Sequence, residues 1–137
     1  MNITKLTSFL ILLPSFLVAQ NLVDLEVKVT GIKKLSGKVR ICLVHSKEDF
    51  LKNCYQSQDI KVGSHEVTAV FHDLEPKEYA ISIYHDEDDN NELNSNFLGI
   101  PREDYGFSNN PKSMFGPPKY EKCTFQLKSN KQVVIWL

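Results

Sequence analysis

The sequence predicts an all-β fold, a β-sandwich of about seven strands. Three observations predict it: short segments in which apolar and polar residues alternate, turn-forming residues between them at short intervals, and no long segment with helical periodicity. With 137 residues, the chain has about the length of one domain. Hydrophobic residues make up 42% and charged residues 24%, which is the balance of a folded globular chain.

Two segments near the N-terminus carry the strand pattern most clearly. In residues 23–29, Val and Leu alternate with charged residues, as they do in a strand with one buried face. Residues 38–44 show the same alternation, and their apolar side chains are expected to face the core because Arg40 between them cannot.

The remaining strands are predicted from the same alternation. Residues 66–71 and 79–84 flank a turn and are expected to be adjacent strands, with residues 59–62 as a weaker seventh strand. Residues 124–127 and 132–137 are separated by a polar stretch of hairpin length. Apolar side chains on both faces of the last segment predict a central position in its sheet.

A long connection between Tyr84 and Cys123 interrupts this regular pattern. It is longer than an ordinary loop of a compact domain, so it is either functional or held by something other than a strand ladder. We therefore expect the functional residues in this segment.

The N-terminus has the features of a secretory signal peptide. Lys5 supplies a positive charge, residues 9–18 are mostly apolar, and Ala19 is a small residue suited to cleavage. A membrane anchor is the alternative, but the apolar run is shorter than the roughly 20 residues that a spanning helix requires. We expect a leader at residues 1–19, cleavage before Gln20, a single domain at residues 20–137 and no membrane span in the mature form.

The net charge gives no reason to expect nucleic acid or an anionic membrane as a partner. It is −1 for the whole chain, and the predicted leader takes away one lysine and no acidic residue, which leaves −2.

If the chain is exported, its cysteines can form disulfides, because thiols pair in an oxidising compartment. The number is odd, so one pair and one free thiol are expected, and the sequence leaves three pairings open. We favour Cys42 with Cys54, which would close a short loop and stabilise the fold by about 3 kcal/mol. The alternative is three buried, unpaired cysteines.

One segment of the long connection has a pattern suited to a divalent cation. Side-chain oxygens occur at alternate positions immediately after a strand, and hard cations such as Ca²⁺ take about six to eight oxygen ligands. Compared with the calcium loop of an EF-hand, the first, third, fifth and ninth positions carry suitable side chains, and the seventh could offer its carbonyl oxygen. The predicted ligands are Asp86, Asp88, Asn90, Glu92 and Asn94.

Two positions depart from the calcium-loop pattern. Asn91 replaces the turn glycine, although Asn tolerates a left-handed backbone. Phe97 stands where a bidentate Glu is expected, so a further ligand would have to come from Glu103 or Asp104. The alternative is a solvated acidic loop whose side chains bond their own backbone. Mutual repulsion of five acidic residues in one loop favours a cation.

Aromatic and turn residues follow this segment. Tyr105, Phe107 and Phe115 could form a stacking surface for a sugar or a peptide. The alternative is that these side chains fold back and cap the sandwich.

An enzymatic function has little support from the sequence. His85 beside Asp86 and Ser108 in a constrained turn are the only catalytic candidates, and no nucleophile-elbow, zinc-helix or phosphate-loop motif occurs. We therefore expect a non-enzymatic protein, with a hydrolase as an alternative.

Five segments resemble the exported bacterial family called domain of unknown function 2141. They are residues 36–40, 79–86, 96–101, 105–110 and 115–118. The resemblance covers about residues 23–137 and implies an extracytoplasmic β-sandwich of immunoglobulin-like or transthyretin-like type with no established activity. Members usually have an Asn-Gly step in the Asp-rich loop, where this chain has Asn90-Asn91.

Our first functional hypothesis is therefore a calcium-stabilised binding or structural module of the bacterial periplasm or cell surface. Its expected partners are a glycan or a cell-envelope protein. The alternative is a carbohydrate- or peptide-binding module that uses the aromatic loop and needs no ion for recognition.

Overall fold

The computed structural model describes residues 21–137. The predicted leader, residues 1–19, lies outside the described residues.

The described residues form eight strands, which are arranged in two sheets, and one short helix. The first sheet has the order β4-β1-β8, and the second has the order β3-β2-β5-β6, with β7 pairing with β5. The elements are β1 Val23–Thr30, β2 Lys38–Val44, β3 Gln56–Lys61, β4 Glu66–Leu74, β5 Lys77–Asp86, β6 Tyr105–Phe107, α1 Tyr120–Cys123, β7 Phe125–Leu127 and β8 Lys131–Trp136. The predicted all-β, two-sheet architecture is confirmed.

The alternating sequence pattern positions the core between the sheets. Strand β1 buries every second residue, and in β2 the side chains of Val39, Ile41 and Leu43 are fully buried as expected. Arg40 points outward, and its Nε and Nη2 atoms both donate to the carboxylate of Asp59 at 2.7 Å. This bidentate pair lies between neighbouring strands, because Arg40 is opposite Asp59 in the β2–β3 register.

A second, smaller apolar cluster covers the outer face of the second sheet. It contains Val44, Phe50, Ala80, Phe107 and Cys123. The loop after β2 and the segment containing α1 supply this cover, which places part of the long connection against the sheet.

Strand β8 is an edge strand, so the predicted central position is wrong. Among residues 21–137 it pairs only with β1, in parallel, and Val134 and Trp136 are exposed. The side chain of Asn110 occupies the outer edge: its amide donates to Val134 O at 2.9 Å, and its carbonyl accepts from Trp136 N at 2.9 Å. Apolar residues on both faces therefore do not indicate a central position here, because the Asn110 side chain bonds the strand edge that another strand would otherwise pair with.

Two further predictions about strand neighbours are wrong. Strands β4 and β5 lie in different sheets, and so do β7 and β8, where we expected an adjacent pair and a hairpin. The physical reason is that a polar turn between two sheets has the same composition as a hairpin turn, so turn residues alone do not select the partner.

The connection between Tyr84 and Cys123 is more structured than the sequence suggests. Strand β5 continues to Asp86, and the segment contains β6 and α1. Strand β6 has three residues, which is too short to show an alternating pattern.

Cys42 and Cys54 are joined by a disulfide with a Cα–Cα distance of 5.3 Å. The bridge ties β2 to the loop that precedes β3. Cys123 is free and buried, and burial raises the pKa of its thiol to about 11.

Replacing Gly37 with Ala is expected to destabilise the fold by more than about 2 kcal/mol. Gly37 has a φ of 64°, and a Cβ atom there would lie 1.9 Å from the carbonyl oxygen of Asp86. Chemical denaturation measures the effect. Gly63→Ala is the matched control because nothing lies within 4 Å of its Cβ position; equal losses in the two variants would contradict the prediction.

Thiol titration under three conditions is expected to distinguish the free cysteine from the two bridged ones. The native protein should react slowly at mildly alkaline pH, because the raised pKa of Cys123 leaves little thiolate. Unfolding without reductant should expose one thiol, and unfolding with reductant should expose three. Three reactive thiols without reductant would exclude the Cys42–Cys54 bridge.

Candidate metal centre

Asp86 ends strand β5 and begins the acidic loop. Its side chain is fully buried, and its two carboxylate oxygens accept hydrogen bonds from the amides of Asn90 and Asn91 at 3.0 and 2.9 Å. The ammonium of Lys38, which is opposite Asp86 in the β2–β5 register, lies 3.7 Å from the carboxylate. The loop thus folds back around a negative charge held at the end of a strand.

Two left-handed residues give the loop its shape. Asp89 has a φ of 59° and Asn91 a φ of 67°. The left-handed conformation of Asn91 agrees with its expected role in place of a turn glycine.

Three side chains that the sequence places at alternate loop positions converge. The side-chain Nδ2 atom of Asn94 donates to Asp88 Oδ2 at 2.9 Å, and the side-chain Nδ2 atom of Asn90 donates to Asn94 Oδ1 at 2.6 Å. The backbone amide of Asn90 also approaches Asp88 Oδ1 at 3.3 Å. Asp88 and Asn90 are exposed, so the group opens to solvent on one side.

Glu103 enters the same group from the far end of the loop. It is 6% exposed, and its Oε1 and Oε2 atoms accept hydrogen bonds from the amides of Glu87 and Asn94 at 2.9 and 2.8 Å. The amide of Arg102 donates to Asn94 O at 2.7 Å, which fixes the two arms of the loop beside each other. A single carboxylate therefore holds both arms.

The carboxylates of Asp86, Asp88 and Glu103 each offer an oxygen within 4.8 Å of the others. Two ligands of one calcium ion lie at most about 5 Å apart, because each Ca–O distance is about 2.3–2.6 Å. The spacing of the three carboxylates is thus compatible with a shared ion.

The positive charges near this cluster are mostly engaged elsewhere. Lys34 pairs with Glu87, and this hydrogen bond raises the pKa of the Lys34 ammonium. Lys33 pairs with Asp104 at 2.9 Å. Within residues 21–137, Asp88 and Glu103 have no cationic side chain within 4 Å, and Lys38 lies within 4 Å of Asp86. Lys34 and Arg102 line the same pocket as Asp88 and Glu103.

The structure brings together four of the five predicted ligands: Asp86, Asp88, Asn90 and Asn94. The Glu92 side chain is exposed, and the backbone amide of Glu92 donates to Asn90 Oδ1 at 2.8 Å. Of the two acidic residues that the sequence offered for a further ligand, Glu103 joins the cluster, whereas Asp104 faces Lys33. Nothing in the local sequence distinguishes these two neighbours.

The three predicted ligand-binding aromatics are divided between different environments. Phe107 is buried against Phe50, with ring centroids 6.1 Å apart. Tyr105 is partly exposed, and Phe115 projects almost completely into solvent.

An apolar cleft of about 350 Å³ lies on the outer face of the second sheet. It adjoins the acidic loop, because Leu93 forms part of its wall and the hydroxyl of Tyr84 donates to Asn91 O at 3.0 Å. Its lining residues are Leu51, Ser82, Ile83, Tyr84, Leu93, Gly99, Pro101, Tyr105, Phe107, Gly116 and Pro117.

His85 and Ser108, the two catalytic candidates, are both enclosed. His85 is 1% exposed; its Nε2 lies 2.8 Å from Ser36 O, and its Nδ1 has no partner in the described part of the chain. Ser108 is fully buried, and its hydroxyl accepts from the amide of Ile81 at 2.9 Å. Both side chains bond to the backbone of neighbouring segments.

Within residues 21–137, no helix is both long and apolar enough to cross a bilayer. Comparisons with curated proteins and with solved structures each found no significant match. A match was found to the family described as an uncharacterized protein conserved in bacteria (DUF2141), over residues 27–135. This match spans most of the chain and confirms the predicted resemblance. The protein belongs to the DUF2141 family.

Proposed function

We propose that this protein is an exported, non-enzymatic β-sandwich module of the bacterial periplasm or cell surface that is stabilised by a calcium ion. The observation that carries the proposal is the convergence of Glu103 on Asp86 and Asp88 across the loop. Two of these three carboxylates are buried. A compact group of like charges is disfavoured unless a counter-charge offsets it.

The chemistry of the ligand set favours calcium over other divalent ions. The converging atoms are carboxylate and amide oxygens, with the Glu92 carbonyl as a further candidate, and no sulfur or imidazole belongs to the group. Calcium accepts six to eight oxygens in flexible geometry, whereas magnesium requires a near-ideal octahedron. Zinc prefers nitrogen and sulfur ligands.

The loop is already organised for such an ion. Asp86 and Glu103 bind backbone amides with both oxygens, and each oxygen keeps a second lone pair for a metal. Ion binding therefore requires little reordering of the backbone, which reduces its entropic cost.

Two features support export. The N-terminal sequence has the charge, apolar run and small residue of a signal peptide. The Cys42–Cys54 disulfide includes an exposed residue, Cys54, and such bridges persist in oxidising compartments outside the cytoplasm.

Calcium is expected to raise the thermal unfolding midpoint of the protein. A ligand that binds only the native state stabilises it by about 2.7 kcal/mol at a hundredfold excess over Kd. Differential scanning calorimetry in calcium and in chelator measures the shift. Asp88→Asn should reduce the shift strongly because it removes a carboxylate from the cluster, whereas Glu92→Gln should leave it unchanged because the Glu92 carboxylate does not belong to the cluster.

The calcium-induced shift is compared within each variant, so that a change in basal stability does not enter the result. No shift in the parent protein, or equal shifts in the parent protein and Asp88→Asn, would exclude the proposed ion site.

A carbohydrate- or peptide-binding module is the second candidate function, and the apolar cleft favours it. A cleft of this size with two tyrosines in its wall suits a small apolar or aromatic group. Tyr105→Ala should abolish binding on a glycan or peptide array, while Tyr55→Ala, which removes an exposed ring outside the cleft, should not.

A further inference from the structure

Two loop tips present large apolar side chains to solvent. Phe97 is 93% exposed and Phe115 is 91% exposed, and Met114 is nearly as exposed. Leu98 and Ile100 are each more than half exposed. We call these five side chains the apolar rim. Side chains with so little contact to their own protein do not contribute to its core.

The two tips lie together in space. Gly99 and Pro101 of the first tip and Gly116 and Pro117 of the second tip line the same cleft. Eight of the thirteen exposed large apolar side chains in the described residues belong to the rim or the cleft wall. Soluble proteins expose single apolar residues at scattered positions but rarely expose a contiguous apolar patch, so a patch of this kind indicates an interaction site.

The two segments that carry the rim are themselves uncharged. Residues 93–101 and 113–118 contain no charged side chain. Lys112 and Lys119 flank the second segment, and within residues 21–137 neither of them forms an ion pair. An apolar surface bordered by unpaired basic side chains complements a lipid surface with anionic headgroups.

The backbone of the first tip binds its own polar groups. The amides of Leu98 and Ile100 donate to Asn96 Oδ1 at 2.9 and 3.0 Å, and the amide of Gly99 donates to Asn96 O at 2.9 Å. An unsatisfied amide is costly in an apolar medium. Three amides at this tip can therefore leave water without losing a hydrogen bond.

The polar groups of the second tip are satisfied only in part. Pro117 and Pro118 have no amide hydrogen, and the hydroxyl of Ser113 donates to Gly116 O at 2.6 Å. A protein partner would supply hydrogen bonds to a loop, so the internal satisfaction of the first tip favours a lipid environment.

We propose that the apolar rim docks on a lipid surface that carries anionic headgroups. The five rim side chains enter the boundary between headgroups and acyl chains, and Lys112 and Lys119 contact the phosphates. The net charge of the whole chain gives no indication of this, because acidic residues, including those of the loop that adjoins the cleft, slightly outnumber the basic ones. The proposal goes beyond the calcium site and does not require an ion.

Vesicle co-sedimentation tests the proposal, with vesicles of equal parts phosphatidylethanolamine and phosphatidylglycerol and with vesicles of phosphatidylcholine alone. The protein is purified from the compartment to which an expressing bacterium delivers it, so that parent and variants share the same N-terminus. Each measurement is made in calcium and in chelator, and binding in either condition counts. The outcome is thus separate from the calorimetric test of the ion site.

Phe97→Ser/Phe115→Ser is expected to weaken binding to the phosphatidylglycerol vesicles about tenfold or more, because two large apolar groups no longer leave water. Leu22→Ser/Val134→Ser is the matched control, since it removes two exposed apolar side chains that belong to neither the rim nor the cleft wall and should bind as the parent does. Unfolding midpoints show that every variant is folded.

Lys112→Gln/Lys119→Gln should also weaken binding, whereas Lys61→Gln/Lys128→Gln should not. The proposal is overturned if the parent binds neither vesicle in either condition, or if the rim variant binds as the parent does. Binding that is indifferent to phosphatidylglycerol would overturn the assignment of the basic residues. Self-association of the parent that the rim substitutions abolish, without vesicle binding, would assign the rim to a contact between copies of the chain.

Discussion

Asp86 places a fully buried carboxylate at the end of β5, where two backbone amides donate to it and Lys38 lies 3.7 Å away. A buried charge is costly unless hydrogen bonds and nearby charges offset the loss of water. The loop satisfies this requirement by folding back on the carboxylate. Gly37 makes room for the strand end, since any larger residue would collide with the Asp86 carbonyl.

Strand β5 connects the acidic loop to both neighbouring parts of the second sheet. It pairs with β2 along one edge and with β7 and then β6 along the other, so the root of the acidic loop belongs to the most extensively paired strand. The loop then returns through Glu103 to β6. Because both ends of the loop are fixed to strands, the acidic cluster, the cleft wall and the first apolar tip keep fixed positions relative to one another.

The strands of the sandwich followed from residue alternation, because a strand with one buried face must repeat every two residues. Alternation does not identify the neighbour of a strand. Strand β8 illustrates the difference: Val134 and Trp136 suggested burial on a second face, yet Asn110 occupies the edge where another strand would pair. The paths from β4 to β5 and from β7 to β8 cross between the sheets, through turns that resemble hairpin turns in composition.

The sequence by itself determined the β-rich architecture, the family and the acidic loop with Asp86, Asp88, Asn90 and Asn94, because these depend on residues close together in the chain. Tertiary structure alone decided that Glu103 joins the cluster and Asp104 does not, and that two apolar tips meet beside one cleft. Such contacts join residues that are distant in sequence, and they depend on where β6 and the loops are anchored. Local patterns contain no information about that anchoring.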